Sequence, residues 1–218
     1  NYYAATIPDK FPVVKPFMIF FPKGNRAKGL EQLHQVAMTG KFAKYETRFF
    51  LLTIFFNFEE NNEKALEYAE MLYKQFPANP VFHRYIGRLA IKMRRNDEAF
   101  EIFRDIYKKC KTGKSGYNAN TLREASYYIA AEYERRNKLD SALTLMGESR
   151  GISLKIDKDG QSGFLVNSTL YIAKMYEKSA EFEKSLRFFK IALGYNEYKN
   201  SHTEAKNGIK RVEKFAEK

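Results

Sequence analysis

Three basic residues follow one another at four-residue spacing in the middle of the sequence: Arg84, Arg88 and Lys92. On a helix, side chains four residues apart lie on one face, so these three form a continuous basic stripe. The arginine guanidinium makes forked contacts with carboxylates, which suits it to binding acidic groups. The stripe therefore predicts either a recognition surface for an acidic segment or the solvated face of a basic helix.

Two other stretches resemble ligand-binding loops but lack residues that such loops need. Thr112–Ser115 reads like the end of a phosphate-binding loop, yet Lys108 stands where the first glycine is required. Asp157–Gly160 reads like the start of a calcium loop, yet its sixth and twelfth positions are Ser162 and Ser168. We expect a flexible basic linker at the first stretch and a turn at the second.

Side chains for other chemistry are scattered. His34, His83 and His202 are far apart and have no metal-ligand spacing. The single cysteine, Cys110, rules out an internal disulfide and a multi-cysteine metal site. No nucleophile elbow or other catalytic motif is present. We therefore predict no catalytic residue, no metal site, no cofactor and no enzymatic activity.

The elements that carry these residues follow from an internal repeat. Ala65 and Ala99 stand in two similar segments, Glu-Lys-Ala-Leu-Glu and Asp-Glu-Ala-Phe-Glu, 34 residues apart. The corresponding small residues further along are Ala142 and Ser185, each 43 residues after the one before. A small residue at a fixed place in a fixed period indicates stacked helical hairpins rather than one chance pair of helices.

The two longer intervals each contain nine more residues than the 34-residue unit. Both insertions fall in polar, glycine-bearing stretches, Lys108–Thr121 and Lys155–Gly163. Solenoids tolerate longer links because each repeat packs only on its neighbours. We therefore expect the repeat to continue through both insertions.

This arrangement resembles the tetratricopeptide repeat (TPR) family, and in particular uncharacterised bacterial TPR proteins. In the unit that starts at Pro80, Gly87 and Ala99 stand at the small positions 8 and 20, and Phe103 stands at the apolar position 24. The resemblance spans roughly Arg26–Leu193. It implies an all-α fold, a right-handed superhelical α-solenoid of TPR-like helical hairpins.

The repeats divide the chain into predicted parts. Residues 1–23, rich in proline and aromatic residues, form an N-terminal lid of short helical turns and extended pieces. Residues 24–45 form a degenerate or half repeat, and residues 201–218 form a C-terminal capping helix. The four repeats of residues 46–200 are 46–79, 80–113, 123–156 and 166–199.

The resemblance also predicts where a protein or peptide partner binds. In TPR arrays the first helix of each unit lines a concave groove, and tyrosine beside arginine is typical of recognition surfaces. We therefore predict a non-catalytic scaffold for protein–protein interaction that binds an acidic or extended segment in this groove. The predicted groove residues are Asn57, Arg84, Tyr85, Arg88, Lys92, Tyr127, Tyr128, Glu134, Arg135, Tyr171 and Lys174.

One known type of TPR binding is not expected. Some TPR domains hold a C-terminal carboxylate in a clamp of lysine, asparagine and arginine. At the clamp positions this chain has Phe50 and Ile54, then Tyr85, then Glu124 and Tyr128. Binding of chaperone tails by that clamp is therefore not predicted.

The charge of the chain supports an alternative function. The net charge is +12, with 38 Lys and Arg against 26 Asp and Glu, which suits RNA or an anionic membrane surface as partner. The basic residues of Lys108–Lys114 and of the last helix favour this alternative. Against it, the cations are spread through every unit and no aromatic-rich RNA motif is present.

The compartment and oligomeric state stay open. No apolar run reaches the roughly 20 residues that cross a bilayer. The chain starts at Asn1 rather than methionine, so a cytoplasmic location and a periplasmic one after removal of a signal peptide both fit. The same start is the only basis for a third hypothesis, a regulatory part of a larger enzyme.

Overall fold

The computed structural model describes residues 1–20, 23–158 and 160–216, and all regular secondary structure in these ranges is helical. It consists of eleven α-helices and one 3-10 helix, the latter at Pro12–Phe20. The α-helices are α1 (Tyr2–Lys10), α2 (Arg26–Thr39), α3 (Lys44–Asn57), α4 (Asn62–Gln75), α5 (Pro80–Lys92), α6 (Asn96–Lys111), α7 (Ala119–Arg135), α8 (Leu139–Ile156), α9 (Gly163–Lys178), α10 (Phe182–Leu193) and α11 (Ser201–Ala216).

Polar side chains start five of these helices. Each accepts a hydrogen bond from a backbone N–H in the first turn, which satisfies a group that has no partner within the helix. The capping residues of α2, α4, α5, α7 and α9 are Asn25, Asn61, Asn79, Asn118 and Ser162. The starts of these helices are therefore encoded locally.

Four helical hairpins, α3–α4, α5–α6, α7–α8 and α9–α10, turn through the same backbone conformation. The connection between the two helices of each hairpin contains one residue with positive φ: Glu60 (52°), Arg94 (59°), Asn137 (58°) and Ala180 (59°). These residues are 34, 43 and 43 apart, the same intervals as the repeat in the sequence. The backbone thus repeats where the sequence does.

The small residues of the repeat lie where the helices of each hairpin meet. Ala65, Ala99, Ala142 and Ser185 are all fully buried. Gly87 has the same role on α5, because a Cβ atom there would lie 2.8 Å from the ring of Phe103. Small side chains at these positions let the helices approach closely enough to bury the larger residues around them.

The chain forms two compact units, Asn1–Pro77 and Ala78–Lys218. In the first unit, α1 packs on α2: Tyr2 is buried, and a Cβ atom on Gly29 would lie 2.5 Å from the Tyr2 backbone nitrogen. The N-terminal segment is more helical than the extended pieces expected from its prolines. Pro12 is accommodated as the first residue of the 3-10 helix, where no N–H is needed. Phe21 and Pro22 lie outside the described residues.

The second unit contains α5 to α11, with buried cores around Phe103, Met146 and Phe189. Part of each insertion lengthens helices instead of loops, since α7 has 17 residues and α8 has 18. The helices α7 and α9 accordingly begin at residues 119 and 163, before the repeat starts predicted at 123 and 166. The last helix, α11, buries Ala205 and Val212; residues 217–218 of the predicted cap lie outside the described part.

Candidate partner-binding site

The basic stripe on α5 packs against a buried acid on α7. Glu124 has 0% exposure and accepts hydrogen bonds from both Arg84 and Arg88. The Nε of Arg84 lies 2.7 Å from Glu124 Oε2, and Nη2 of Arg88 lies 2.6 Å from the same oxygen. Arg84 and Arg88, called the arginine pair below, are therefore held in place by one carboxylate.

The arginine pair keeps hydrogen-bonding capacity. Each arginine bonds Glu124 through Nε and Nη2, and Nη1 of each has no partner among the residues that the structure describes. The buried polar atoms without a partner in those residues belong to Thr6, Asn62 and Arg123, so both Nη1 groups reach solvent. The side chains of Arg84 and Arg88 are 15% and 29% exposed. Burial works to lower the pKa of Arg88, but the hydrogen bonds and charge of Glu124 outweigh it and raise that pKa.

A row of tyrosines continues from the arginine pair across α7 to α9. Tyr128 lies within electrostatic range of Glu124 and both arginines, and its ring stacks on Phe103 at 4.5 Å. The Tyr128 and Tyr127 rings meet edge to face at 5.4 Å, and the Tyr127 and Tyr171 rings at 5.7 Å. Edge-to-face packing of this kind fixes ring positions. Tyr128, Tyr127 and Tyr171 are called the tyrosine row below.

The hydroxyl groups of the tyrosine row are exposed at least in part to solvent. None of the three makes a hydrogen bond to a described residue, and none is among the buried polar atoms without a partner, so all three reach solvent. Burial of the rings raises the pKa of Tyr127 and Tyr128 above the ordinary tyrosine value. These two hydroxyls therefore stay protonated, and able to donate, throughout the neutral range.

The other predicted groove residues are mostly engaged within the protein. On α9, Lys174 pairs with Glu204 of α11. On α7, Glu134 accepts from Lys178 Nζ at 3.0 Å, and Arg135 Nη2 lies 2.6 Å from Glu132.

Three predicted residues remain to be placed. On α5, Arg88 lies over the Tyr85 ring, with its Cζ 5.8 Å from the ring centroid, and Lys92 is exposed at the last position of the helix. Asn57 belongs to the first compact unit, where its side chain donates to the Thr53 carbonyl at 3.0 Å. The structure thus brings together the arginine pair, Tyr127, Tyr128 and Tyr171.

Comparisons with known proteins place this architecture. No protein-family model matches the sequence, and no curated protein matches it. Among solved structures, BtubC (BKLC) from P. vanneervenii is similar with a TM-score of 0.66 and 15% identity, over 87% of this chain and 81% of that one. A structure of nearly identical TPR-like repeats from Podosopora anserina is similar with a TM-score of 0.57 and 10% identity, over 80% of this chain and 87% of that one.

The chain has a TPR-like helical-repeat fold. The identities of 15% and 10% are too low to carry more than the fold from these structures to this chain. The TPR-like fold confirms the fold class and the family resemblance predicted from the repeat. A helical-repeat scaffold of this kind commonly serves protein interaction.

Glu124 is the site residue that sequence reasoning did not connect to the arginines. In the sequence it stands out only as a departure from the carboxylate clamp, although it lies 40 residues after Arg84 and 36 after Arg88. The sequence signal that could have found it is its position. Glu124 lies roughly one repeat after the arginines, near the start of the first helix of the next hairpin. A carboxylate at that place can face two arginines of the preceding TPR-like hairpin.

The residues considered for other chemistry have structural roles. Both carboxylate oxygens of Asp157 are engaged, Oδ1 by Arg123 at 2.6 Å and Oδ2 by Ser162 at 2.5 Å. Asp159 of the same loop lies outside the described residues. Within the described part, no group of three His, Cys, Asp or Glu side chains is placed to hold a metal ion. Burial raises the pKa of the Cys110 thiol to about 11, which leaves it protonated and weakly nucleophilic at neutral pH.

The basic linker is partly neutralised within the second unit. Lys109 pairs with Asp105 at 2.6 Å and Lys111 with Glu148 at 3.2 Å. By contrast, Lys206, Lys210 and Lys214 line the exposed side of α11 and have no acidic partner in the ranges described. Among the described helices, none has the length and apolar character needed to cross a membrane.

Proposed function

We propose that this chain is a non-catalytic TPR-like scaffold that binds an acidic segment of a protein partner at the arginine pair. The observation that carries the proposal concerns the Nη1 groups of Arg84 and Arg88. Both reach solvent, and neither donates a hydrogen bond to a described residue. A carboxylate placed between them would accept from both. Charge-assisted hydrogen bonds of this kind are about twice as strong as neutral ones.

The balance of charge supports an acidic partner. Two guanidinium groups share one carboxylate, so the cluster of Arg84, Arg88 and Glu124 has a net charge of one positive unit. Because Glu124 fixes both side chains before a ligand arrives, little side-chain entropy is lost on binding. A scaffold with a preorganised cationic site needs no bond-making step to recognise its partner.

The test is a peptide array probed with the purified chain. The array holds nonapeptides with a central glutamate and varied flanking residues, beside the same peptides with a central glutamine. We expect the wild type to prefer glutamate peptides. The triple variant Arg84→Gln, Glu124→Gln, Arg88→Gln should bind them at least about tenfold more weakly, because the charged hydrogen bonds are lost.

The control is matched in charge. The triple variant and Lys206→Gln each lower the net charge by one unit, but Lys206 lies on the exposed side of α11. Lys206→Gln should bind as the wild type does. Equal binding of glutamate and glutamine peptides by the wild type, or equal losses in both variants, would contradict the proposal.

A second candidate function rests on α11. Lys206, Lys210 and Lys214 form a stripe at four-residue spacing without acidic partners among the described residues, which favours an RNA or anionic lipid surface. The triple change of these lysines to glutamine should then reduce binding to poly(U) and to phosphatidylserine vesicles. The triple change at Arg84, Glu124 and Arg88 should leave that binding unaffected.

A further inference from the structure

We infer that the hydroxyls of the tyrosine row donate hydrogen bonds to backbone carbonyls of the partner segment, which lies extended from the arginine pair toward α9. This inference rests on the proposed function, because the acidic residue on the arginine pair sets where the segment starts. It goes further by naming the conformation of the bound segment and the surface on which it lies. It also assigns a role to Tyr128, Tyr127 and Tyr171 together.

The first support is that these hydroxyls are donors without a partner. Each ring is largely packed, yet each hydroxyl reaches solvent and bonds no described residue. Tyr127 is further fixed by Phe164, whose ring meets it edge to face at 5.3 Å. Rings held on several sides present their hydroxyls at set places, and a protonated phenol attracts an acceptor such as a carbonyl oxygen.

The second support is the spacing of the row. The ring centroid of Tyr127 lies 5.4 Å from that of Tyr128 and 5.7 Å from that of Tyr171. An extended chain advances about 3.3 Å per residue, and every second carbonyl points to the same side. Successive carbonyls on one side of the segment are therefore about 6.6 Å apart, about 1 Å more than the distances between neighbouring ring centroids, so each ring can serve one of these carbonyls in turn.

The third support is that a helical segment cannot use these donors. In an α-helix nearly every backbone carbonyl already accepts an intrahelical bond. Only the last turn of a helix leaves carbonyls for other donors. The tyrosine row, which runs across α7 to α9, therefore fits an extended segment, which has all of its carbonyls available.

The charges at the two ends of the surface indicate at which end the acidic residue of the segment binds. Beyond Tyr171, Lys174 lies 5.6 Å from the Tyr171 ring centroid and is paired with Glu204. This part of the surface offers one cation for one carboxylate, whereas the arginine pair offers two for one. The excess positive charge is thus at the Arg84–Arg88 end, which orients the acidic residue of the segment there.

The experiment uses phenylalanine substitutions, which remove a hydroxyl and keep the ring. The probe is the Glu-centred nonapeptide that binds the wild type most tightly on the array. Each of Tyr127→Phe, Tyr128→Phe and Tyr171→Phe should weaken binding about threefold, and the triple variant more than tenfold, as expected for neutral hydrogen bonds. Tyr133→Phe is the control, because its ring lines a separate cavity of about 460 Å³ with α6 and α8 residues.

A truncation series tests whether the segment extends over the tyrosine row on only one side of the glutamate. Removing residues from one side of the glutamate should weaken binding to the wild type but not to the triple phenylalanine variant. Removing residues from the other side should have no effect on either protein. A lactam-constrained helical form of the probe should bind at least tenfold more weakly than the linear form.

The outcomes separate this inference from the proposed function. If the Arg84, Glu124 and Arg88 variant loses binding while all tyrosine variants bind as the wild type does, the tyrosine row is overturned and the acidic site stands. If the helical probe binds as well as the linear one, the extended conformation is overturned. If no glutamate peptide binds the wild type, both proposals are overturned.

Discussion

The hairpins of the two compact units turn through the same backbone conformation, but the units present different surfaces to solvent. Asn1–Pro77 contains 10 Lys and Arg against 8 Asp and Glu, whereas Ala78–Lys218 contains 28 against 18. Of the large apolar residues exposed in the described ranges, nine lie in the first unit and four in the second, although the first has 77 of the 218 residues. The repeat therefore constrains the buried positions, while the outward positions differ by unit.

A pair of equivalent contacts shows the same contrast in detail. His34 Nδ1 lies 2.7 Å from the Tyr68 hydroxyl, and His83 Nδ1 lies 3.1 Å from the Tyr117 hydroxyl, both across 34 residues. The ring planes meet at 78° in both. His34 is exposed, whereas His83 is 5% exposed. One contact geometry thus occurs in two environments, and the energetic consequences should differ.

The largest expected difference concerns the buried acids. Glu124→Ala leaves two half-buried arginines facing each other without the carboxylate that pairs both of them, and should lower the free energy of unfolding by about 3–5 kcal/mol. In the first unit, Glu59 accepts from the Tyr2 hydroxyl and from Arg26, whose side chain is 58% exposed. Because water can solvate Arg26, Glu59→Ala should cost only about 1–2 kcal/mol. Urea denaturation followed by circular dichroism measures both, and equal losses would break the comparison.

The next prediction uses the pH dependence of His83. Burial lowers its pKa from 6.5 to about 4, the positive charge of Lys109 adds to this, and Asp105 opposes it. Between pH 6.5 and pH 4 the unfolded chain therefore binds more protons than the folded one. The contribution of His83 to the free energy of unfolding is complete above pH 6.5 and is lost as the pH falls toward 4. The loss attributable to His83 is about 3 kcal/mol by pH 4.

The measurement is the free energy of unfolding of wild type and His83→Gln between pH 7 and pH 4. Glutamine keeps a polar group near Tyr117 but does not titrate, so the variant should lose less stability on acidification. The His34→Gln variant, in the first unit, is the matched control. Parallel pH profiles for wild type and His83→Gln would show that burial of His83 has no linkage to folding.

The fold was predictable because the repeat signal is carried by side-chain size. Ala65, Ala99, Ala142 and Ser185 stand at fixed intervals, and a position that tolerates only small residues is visible in one sequence. The shared turn was not predictable, because Asn137 is the one residue among the four turn positions whose type favours positive φ. At Glu60, Arg94 and Ala180 the turn is imposed by the packing of the two helices.

The candidate site was predictable in part. The basic stripe and the tyrosines follow from TPR-like positions, and their role in binding stays a prediction. The contact of Glu124 with the arginine pair was missed, because whether a carboxylate is buried against a neighbouring repeat depends on tertiary packing. The free Nη1 and hydroxyl groups follow from the geometry of individual hydrogen bonds, which no spacing in the sequence specifies.

The shared turn gives a prediction in which the two units should agree. Glu60 and Ala180 adopt positive φ, which costs about 1 kcal/mol or more for a residue with a Cβ atom. Glu60→Gly in the first unit and Ala180→Gly in the second should each raise the free energy of unfolding by about 1 kcal/mol. Asn137→Gly should change it little, since asparagine tolerates this conformation. A gain in one unit only would show that the turns are not energetically equivalent.

The smallest expected effect is at the surface where the units differ most. Phe42, between α2 and α3, is 95% exposed, so replacing it removes almost no buried apolar area. Phe42→Ser should therefore change the free energy of unfolding by less than about 0.5 kcal/mol. Phe103→Ala, at a fully buried ring, should cost about 3–5 kcal/mol in the same urea titration. A loss above about 1 kcal/mol for Phe42→Ser alone would mean that this ring is packed in solution, and the contrast in exposed apolar surface between the units would then be smaller than it is in the structure.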